Sequence, residues 1–384
     1  LNGIGFGGKR TSQSTQILLR RFQNLADDQY DDLTETWTGM SKALRNADIS
    51  RSKLKTPEFF LRNLAIVEKG EKINGELGAY EFWSEKLENN EVALTQFLSG
   101  LKDQALVFSK IASNKLMTSN DVNVEMLGAD YFKGTQYIPV LLAGSKLKNY
   151  NYLSELVNSR YLLYIFSQER TQDFETMVPK WAKAINELPA AASKADIDKA
   201  SQSIPGLCFD AARLSTLKSK LAELSSPKDE RKIRVVLATV ALAYESELTP
   251  LPELLKKYSA RTHKGFDFDL ILNAAGIQEL DLDSEERAEC LGIGNSTLVN
   301  GLAKHYASKK PSAKADMYLE DQNALTRSLA PASNQGNKAL VAAAKEIQKG
   351  FEPDLYSWDL DQIRLRREFI ISEFISAQPD GLMI

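Results

Sequence analysis

Apolar residues recur every three to four positions along most of this chain, the spacing of a single buried helix face. Ile17, Leu18, Phe22 and Leu25, then Leu33, Trp37, Met40 and Leu44, predict two amphipathic helices. Thr56-Pro57-Glu58 is a helix start, because proline in the first turn lacks only an N–H that would have no helical partner there. Phe59, Phe60, Leu64 and Val67 line the buried side of that helix. The same spacing returns over Leu77 to Leu98, Leu101 to Leu116, Leu147 to Phe166 and Asp173 to Leu188. In TQYIPVLLAG it breaks, and a small hairpin near 130–142 is expected.

Arg231 to Leu248 departs from the amphipathic pattern. Val235, Leu237, Ala238, Val240, Ala241, Leu242 and Ala243 are apolar on nearly every side, and a helix of that kind needs neighbours all round. It is expected at the centre of a second core, with the stripe Leu214, Leu217, Leu221 and Leu224 packed on it. Gly265 to Gly276 fits a strand or a helix. The steps between Leu270, Ile271 and Ala274 favour a helix. A polar stretch from His305 to Gly336 is expected to include a long surface excursion, with Met317 to Leu329 open to a helical reading. The closing helix, Leu360 to Phe374, is expected to set Leu360, Ile363, Arg367, Ile370 or Ile371 and Phe374 near one side and to expose Arg364 and Arg366 on the other.

These elements predict a mostly all-α protein. A flexible basic arm at 1–14 precedes a helical lobe at 15–200, a second lobe at 201–375 and a flexible tail at 376–384. The lobe boundary is placed in Pro189 to Pro205, whose prolines and small polar residues suit a linker, although Ala191 to Ala200 also fits a short helix. The tail ends in apolar Leu382, Met383 and Ile384, suited to docking on a neighbouring subunit.

Composition narrows the classes. The 384 residues are 43% hydrophobic, enough for real cores. A net charge of -3 requires any nucleic-acid binding to come from local asymmetry. Two cysteines, Cys208 and Cys290, make no disulfide framework, and an intracellular setting is expected. No apolar run reaches 18 residues and no signal-peptide core is seen, so no membrane insertion is expected.

The search for chemistry returns little. Gly3-x-Gly5-x-x-Gly8 has the letters of a dinucleotide fingerprint, with no strand before it. Cys208, His263, Cys290 and His305 lack zinc spacings, so neither metal nor cofactor is expected. Asp267 and Asp269 would share one face of a strand and hold magnesium, the basis for an acidic-site metal-dependent nuclease. Asp281, Asp283, Glu285 and Glu286 read instead as caps of a helix starting near Ser284. No catalytic cluster is assigned, which points away from an enzyme.

Charge distribution carries the leading expectation. The first 26 residues hold Lys9, Arg10, Arg20 and Arg21 and no acid. From residue 213 to 264, eleven cations face six acids, a local balance of +5. The cations are Arg213, Lys218, Lys220, Lys228, Arg231, Lys232, Arg234, Lys256, Lys257, Arg261 and Lys264. They form a basic collar on the central helix, able to hold phosphates with little base selectivity. Tyr244, Tyr258 and Phe266 are available for stacking, and Lys146, Lys148 and Arg160, beside Tyr150, Tyr152 and Tyr161, offer a matching surface from the first lobe. An RNA-coating nucleoprotein or helical viral capsid subunit follows as the expected function. It would bind single-stranded RNA, self-associate into rings or filaments through its arms and reside in a virion. A helical protein-binding adaptor or effector fits the same absence of catalytic motifs.

Overall fold

A computed structural model describes residues 30–47, 52–88, 94–113, 132, 134–245, 265–300, 303–330 and 338–383. The chain is mostly helical, with one small two-stranded sheet among the described residues. The described residues divide into two compact units. The first runs up to Tyr161 and takes in Arg170–Cys208; the second takes in Leu162–Glu169 and the chain from Phe209 onward.

The first unit holds α1 (Tyr30–Asn46), α2 (Pro57–Lys69), α3 (Gly75–Glu88), α4 (Leu94–Ala112), α5 (Ile138–Ala143), α6 (Tyr150–Phe166, whose last turn belongs to the second unit), α7 (Thr171–Asn186) and α8 (Lys194–Gln202). The predicted start of α2 is present: Thr56 is its N-cap, Pro57 lies in its first turn, and the Thr56 hydroxyl accepts from Phe59 N. Gly70 closes the helix at φ 72°, a left-handed conformation that glycine adopts without a Cβ penalty. Phe60 and Phe108 meet edge to face at 5.4 Å, and the Trp83 indole donates to Leu61 O at 3.0 Å. Burial therefore leaves neither the apolar surface nor that polar handle unpaired.

Two expectations fail here. The hairpin near 130–142 is absent from its described part, because Ile138–Ala143 is helical with Pro139 in its first turn. In Pro189 to Pro205 the linker reading fails and the short-helix reading holds, as Lys194–Gln202. Ser193 and Asp196 form a capping box on α8, whose Ile197 and Ser201 are fully buried, and the Ser201 hydroxyl accepts from the Trp181 indole at 2.9 Å.

The second unit is built on α10 (Glu230–Glu245), the predicted central helix. Ile233, Val236, Leu237, Val240 and Ala241 are buried, while Ala243 faces out. Before it lies α9 (Ala211–Ala222), with Leu217 and Leu221 buried. After it come β1 (Phe266–Leu270), α11 (Ala274–Glu279), α12 (Ser284–Glu289), β2 (Ser296–Asn300), α13 (Pro311–Leu319), α14 (Ala324–Arg327), α15 (Lys338–Gly350) and α16 (Leu360–Ser376). Helix α10 packs against α14, α15, α16 and β2, and α9 packs against α16.

The helix expected at Gly265 to Gly276 is in its first half a strand. β1 pairs antiparallel with β2, Phe266 opposite Asn300 and Leu270 opposite Ser296. The polar stretch from His305 carries α13 and α14 in its described part, and the helical reading of Met317 to Leu329 holds in the end of α13 and in α14. Arg366, expected on the exposed side of α16, is buried, because its Nη1 donates to Gly294 O and Ser296 O at 2.9 and 2.7 Å. The tail expected to be loose folds onto its own unit: Phe209 N donates to Leu382 O at 2.8 Å and Leu382 is fully buried. Both cysteines are buried free thiols.

Candidate nucleic-acid interface

Helix α9 is the most basic described part of the collar. Asp210 caps it, accepting Arg213 N at 2.8 Å, so the one local acid sits at the positive end of the helix dipole. Its twelve residues carry Arg213, Lys218 and Lys220 and no acid. Leu217 and Leu221 point into the core, which turns Ser215, Thr216, Lys218 and Ser219 outward.

Neighbouring acids then occupy part of the collar. Arg213 reaches Glu169 at 2.7 Å and lies over the Phe209 ring at 4.2 Å. Lys220 pairs with Glu223 at 2.8 Å, and the hydrogen bond from Lys220 is the main reason the Glu223 carboxyl titrates below its ordinary range. Lys232 lies 3.8 Å from Asp229. Arg234 donates to Phe266 O at 2.5 Å and lies 3.9 Å from Glu230, so its guanidinium holds a strand end. Lys218, Lys228 and Arg231 are exposed. Lys9, Arg10, Lys256, Lys257, Tyr258, Arg261 and Lys264 lie outside the described residues.

In the first unit, the surface expected around Arg160 is not formed as predicted. Arg160 is fully buried, donates to Gly206 O at 3.3 Å and stacks on the Phe174 ring at 5.5 Å. Tyr150 and Tyr161 are buried too, and the Tyr152 hydroxyl donates to Asp198 at 2.6 Å. Lys146 and Lys148 remain exposed, Lys146 donating to Asn186 O at 2.6 Å. Of the stacking candidates in the second unit, Phe266 is buried and the Tyr244 hydroxyl donates to Glu373 at 2.6 Å.

The acidic pairs resolve into structural roles. Asp269 is buried and accepts from Lys314 Nζ at 2.8 Å and from the Tyr318 hydroxyl at 2.7 Å; Lys314 also donates to Leu270 O. Burial raises the Asp269 carboxyl, opposed by Lys314, and it lowers the Lys314 ammonium, opposed by Asp269. Asp267 accepts backbone N–H groups from Phe268 and Ala303 at 3.0 and 2.9 Å. Asp283 is the N-cap of α12, in a capping box with Glu286, as its spacing predicted. Among the described residues no three His, Cys, Asp or Glu side chains gather as a metal would need. Burial pushes the Cys290 thiol up to about 11, away from the thiolate that nucleophilic chemistry requires.

Four buried groups went unnoticed in the sequence. Asn295 accepts from Leu272 N and donates to Leu272 O and Cys290 O. Asp321 accepts Asn300 N and Asn323 N, each at 2.8 Å. Thr326 meets the Thr297 hydroxyl at 2.7 Å, and Lys314 completes the set through Asp269. Their neighbours in sequence are polar too, so no local signal marked them for burial. No helix among the described residues is long and apolar enough to cross a membrane. Comparison with protein-family models and with curated proteins gives no match.

Proposed function

We propose that this chain is a non-catalytic nucleoprotein that holds single-stranded RNA by its phosphates and assembles with copies of itself. The observation that carries this reading is α9: three cations and three hydroxyl residues, no acid of its own, and an outer face of small side chains. Lysine, arginine, serine and threonine are the side chains that contact phosphate, and such contacts position a strand without reading its bases. Lys228 and Arg231 extend the exposed charge beyond the end of α9. Pairing with Glu169, Glu223 and Asp229 reduces the contribution of Arg213, Lys220 and Lys232, so Lys218 and Lys228 are the principal contacts.

A protein-binding adaptor is the second reading. It is favoured by Tyr356 and Leu365, which leave 72% and 58% of their surface exposed. Purification from host material without nuclease separates the two. The nucleoprotein should appear as rings or filaments whose ultraviolet absorbance shows nucleic acid. A nucleic-acid-free monomer that also fails to bind added single-stranded RNA would overturn the first reading.

A further inference from the structure

Segment 303–310, AKHYASKK, carries Lys304, His305, Lys309 and Lys310 and no acid. It is fixed at several points. Ala303 N donates to the Asp267 carboxylate at 2.9 Å, and Asn273 Nδ2 donates to Lys309 O at 3.1 Å. Between these anchors Tyr306 is buried and stacks on Tyr318 at 5.8 Å. Tyr306 N and Ala307 N both bond to Ala303 O, and Lys309 N bonds to Tyr306 O, so the backbone turns tightly on itself. With the tyrosine inward, Lys304, His305, Ser308, Lys309 and Lys310 are turned outward.

Nearby carboxylates do little to neutralise this face. Asp267 is engaged by two backbone N–H groups, and Asp269 is paired with Lys314 in the interior. Only Lys310 has an acid within ion-pair range among the described residues, Glu279 at 3.8 Å, and both partners are highly exposed. Exposed pairs of this kind are weak. The segment also adjoins the collar, because Arg234 holds Phe266 O and the next residue, Asp267, holds Ala303.

We infer that segment 303–310 is a second phosphate-contacting surface, which takes up the same single strand as α9 through Lys304, Lys309 and Lys310. This rests on the reading of α9 as a phosphate surface. Its support is independent of that helix: a cationic turn already ordered by Asp267, Tyr306 and Asn273 gives up little conformational freedom on binding. Phosphate contacts made by an ordered turn therefore retain more of their gross electrostatic gain.

The test uses the full chain and a fluorescent oligouridine of about 16 nucleotides, followed by anisotropy over a salt series. K304E/K309E should weaken binding about tenfold at low salt and lower the slope of log K against log salt by about 1.4, roughly 0.7 per lost contact. K218E/K228E should act similarly. Unchanged thermal unfolding of both variants is the control for folding. If the unaltered chain shows no salt-dependent binding, the reading of α9 fails and this inference fails with it. If K218E/K228E weakens binding and K304E/K309E leaves affinity and slope unchanged, this inference alone is overturned.

Discussion

Lys218 and Lys314 belong to the same unit, and each lies near the middle of a short helix. One is solvated on α9, and the other is fully buried in α13 against Asp269, Tyr318 and Leu270 O. The difference lies in what the helix faces. α9 packs one leucine edge, Leu217 and Leu221, and leaves its remaining circumference to water. Helix α13 lays Lys314, Ala315 and Tyr318 over the sheet, where β1 supplies a carboxylate and a carbonyl. A lysine is thus available to a ligand only where the fold offers it no internal acceptor. Charge counted along the chain cannot make that distinction.

The buried side of this comparison predicts the largest effect. Replacing Lys314 with methionine leaves Asp269 in the interior without its counter-charge, held by the Tyr318 hydroxyl and the Leu270 backbone, and breaking a buried pair from one side costs about 3–5 kcal/mol. Replacing both partners, Lys314→Met with Asp269→Leu, should recover much of that loss, because the desolvation of both charges is removed together. Urea unfolding of the two single variants and the double variant measures the coupling. Strict additivity would show that the pair is not one unit.

A pH effect of up to about 3 kcal/mol is expected at Asp321, from a shift of about two pKa units at 1.36 kcal/mol each. Burial pushes this carboxyl up from 3.8 to about 6, against the backbone N–H groups of Asn323 and Asn300 and the charge of Arg327. Between those two values the folded chain binds more protons than the unfolded chain. The contribution of Asp321 to stability is therefore full below pH 3.8 and is lost as pH rises through 6. Asp269 is raised as well and adds to the same slope. The Asp321→Asn variant should gain on the unaltered chain as pH rises from 4 to 7. Parallel unfolding curves across that range would refute the assignment.

The same contrast governs how much could be read from the sequence. Helix starts and core stripes depend on residues within one or two turns, and those were legible: Thr56-Pro57 and Asp283 cap where their spacing placed them, and the alanine-rich rod is central to its unit. The sheet was not legible, because Phe266 meets Asn300 and neither segment announces its partner. Arg366 was placed on the wrong side of α16 for a related reason. Its acceptors, Gly294 O and Ser296 O, lie some seventy residues earlier, and helical spacing alone cannot assign a polar residue to the core. Arg160 shows the same error, a cation read as surface whose partners, Gly206 O and the Phe174 ring, are distant in sequence. The candidate interface was therefore visible in outline, and its membership required the fold.

The smallest effect sharpens the exposed side. Lys220 and Lys218 lie on one helix two residues apart, but only Lys220 has an ion-pair partner among the described residues, Glu223 at 2.8 Å. Exposed pairs contribute little, so Lys220→Ala should lower stability only slightly, and Lys218→Ala by less. Binding should reverse the order. Lys220 must share its charge with Glu223 when a phosphate arrives, and Lys218 need not. Lys218→Ala should therefore reduce RNA affinity and the salt slope more than Lys220→Ala, although it disturbs the free protein less. Paired measurements of urea stability and anisotropy on these two variants decide the matter. If both properties fall together in the same variant, the charge on α9 serves the helix itself and not a ligand.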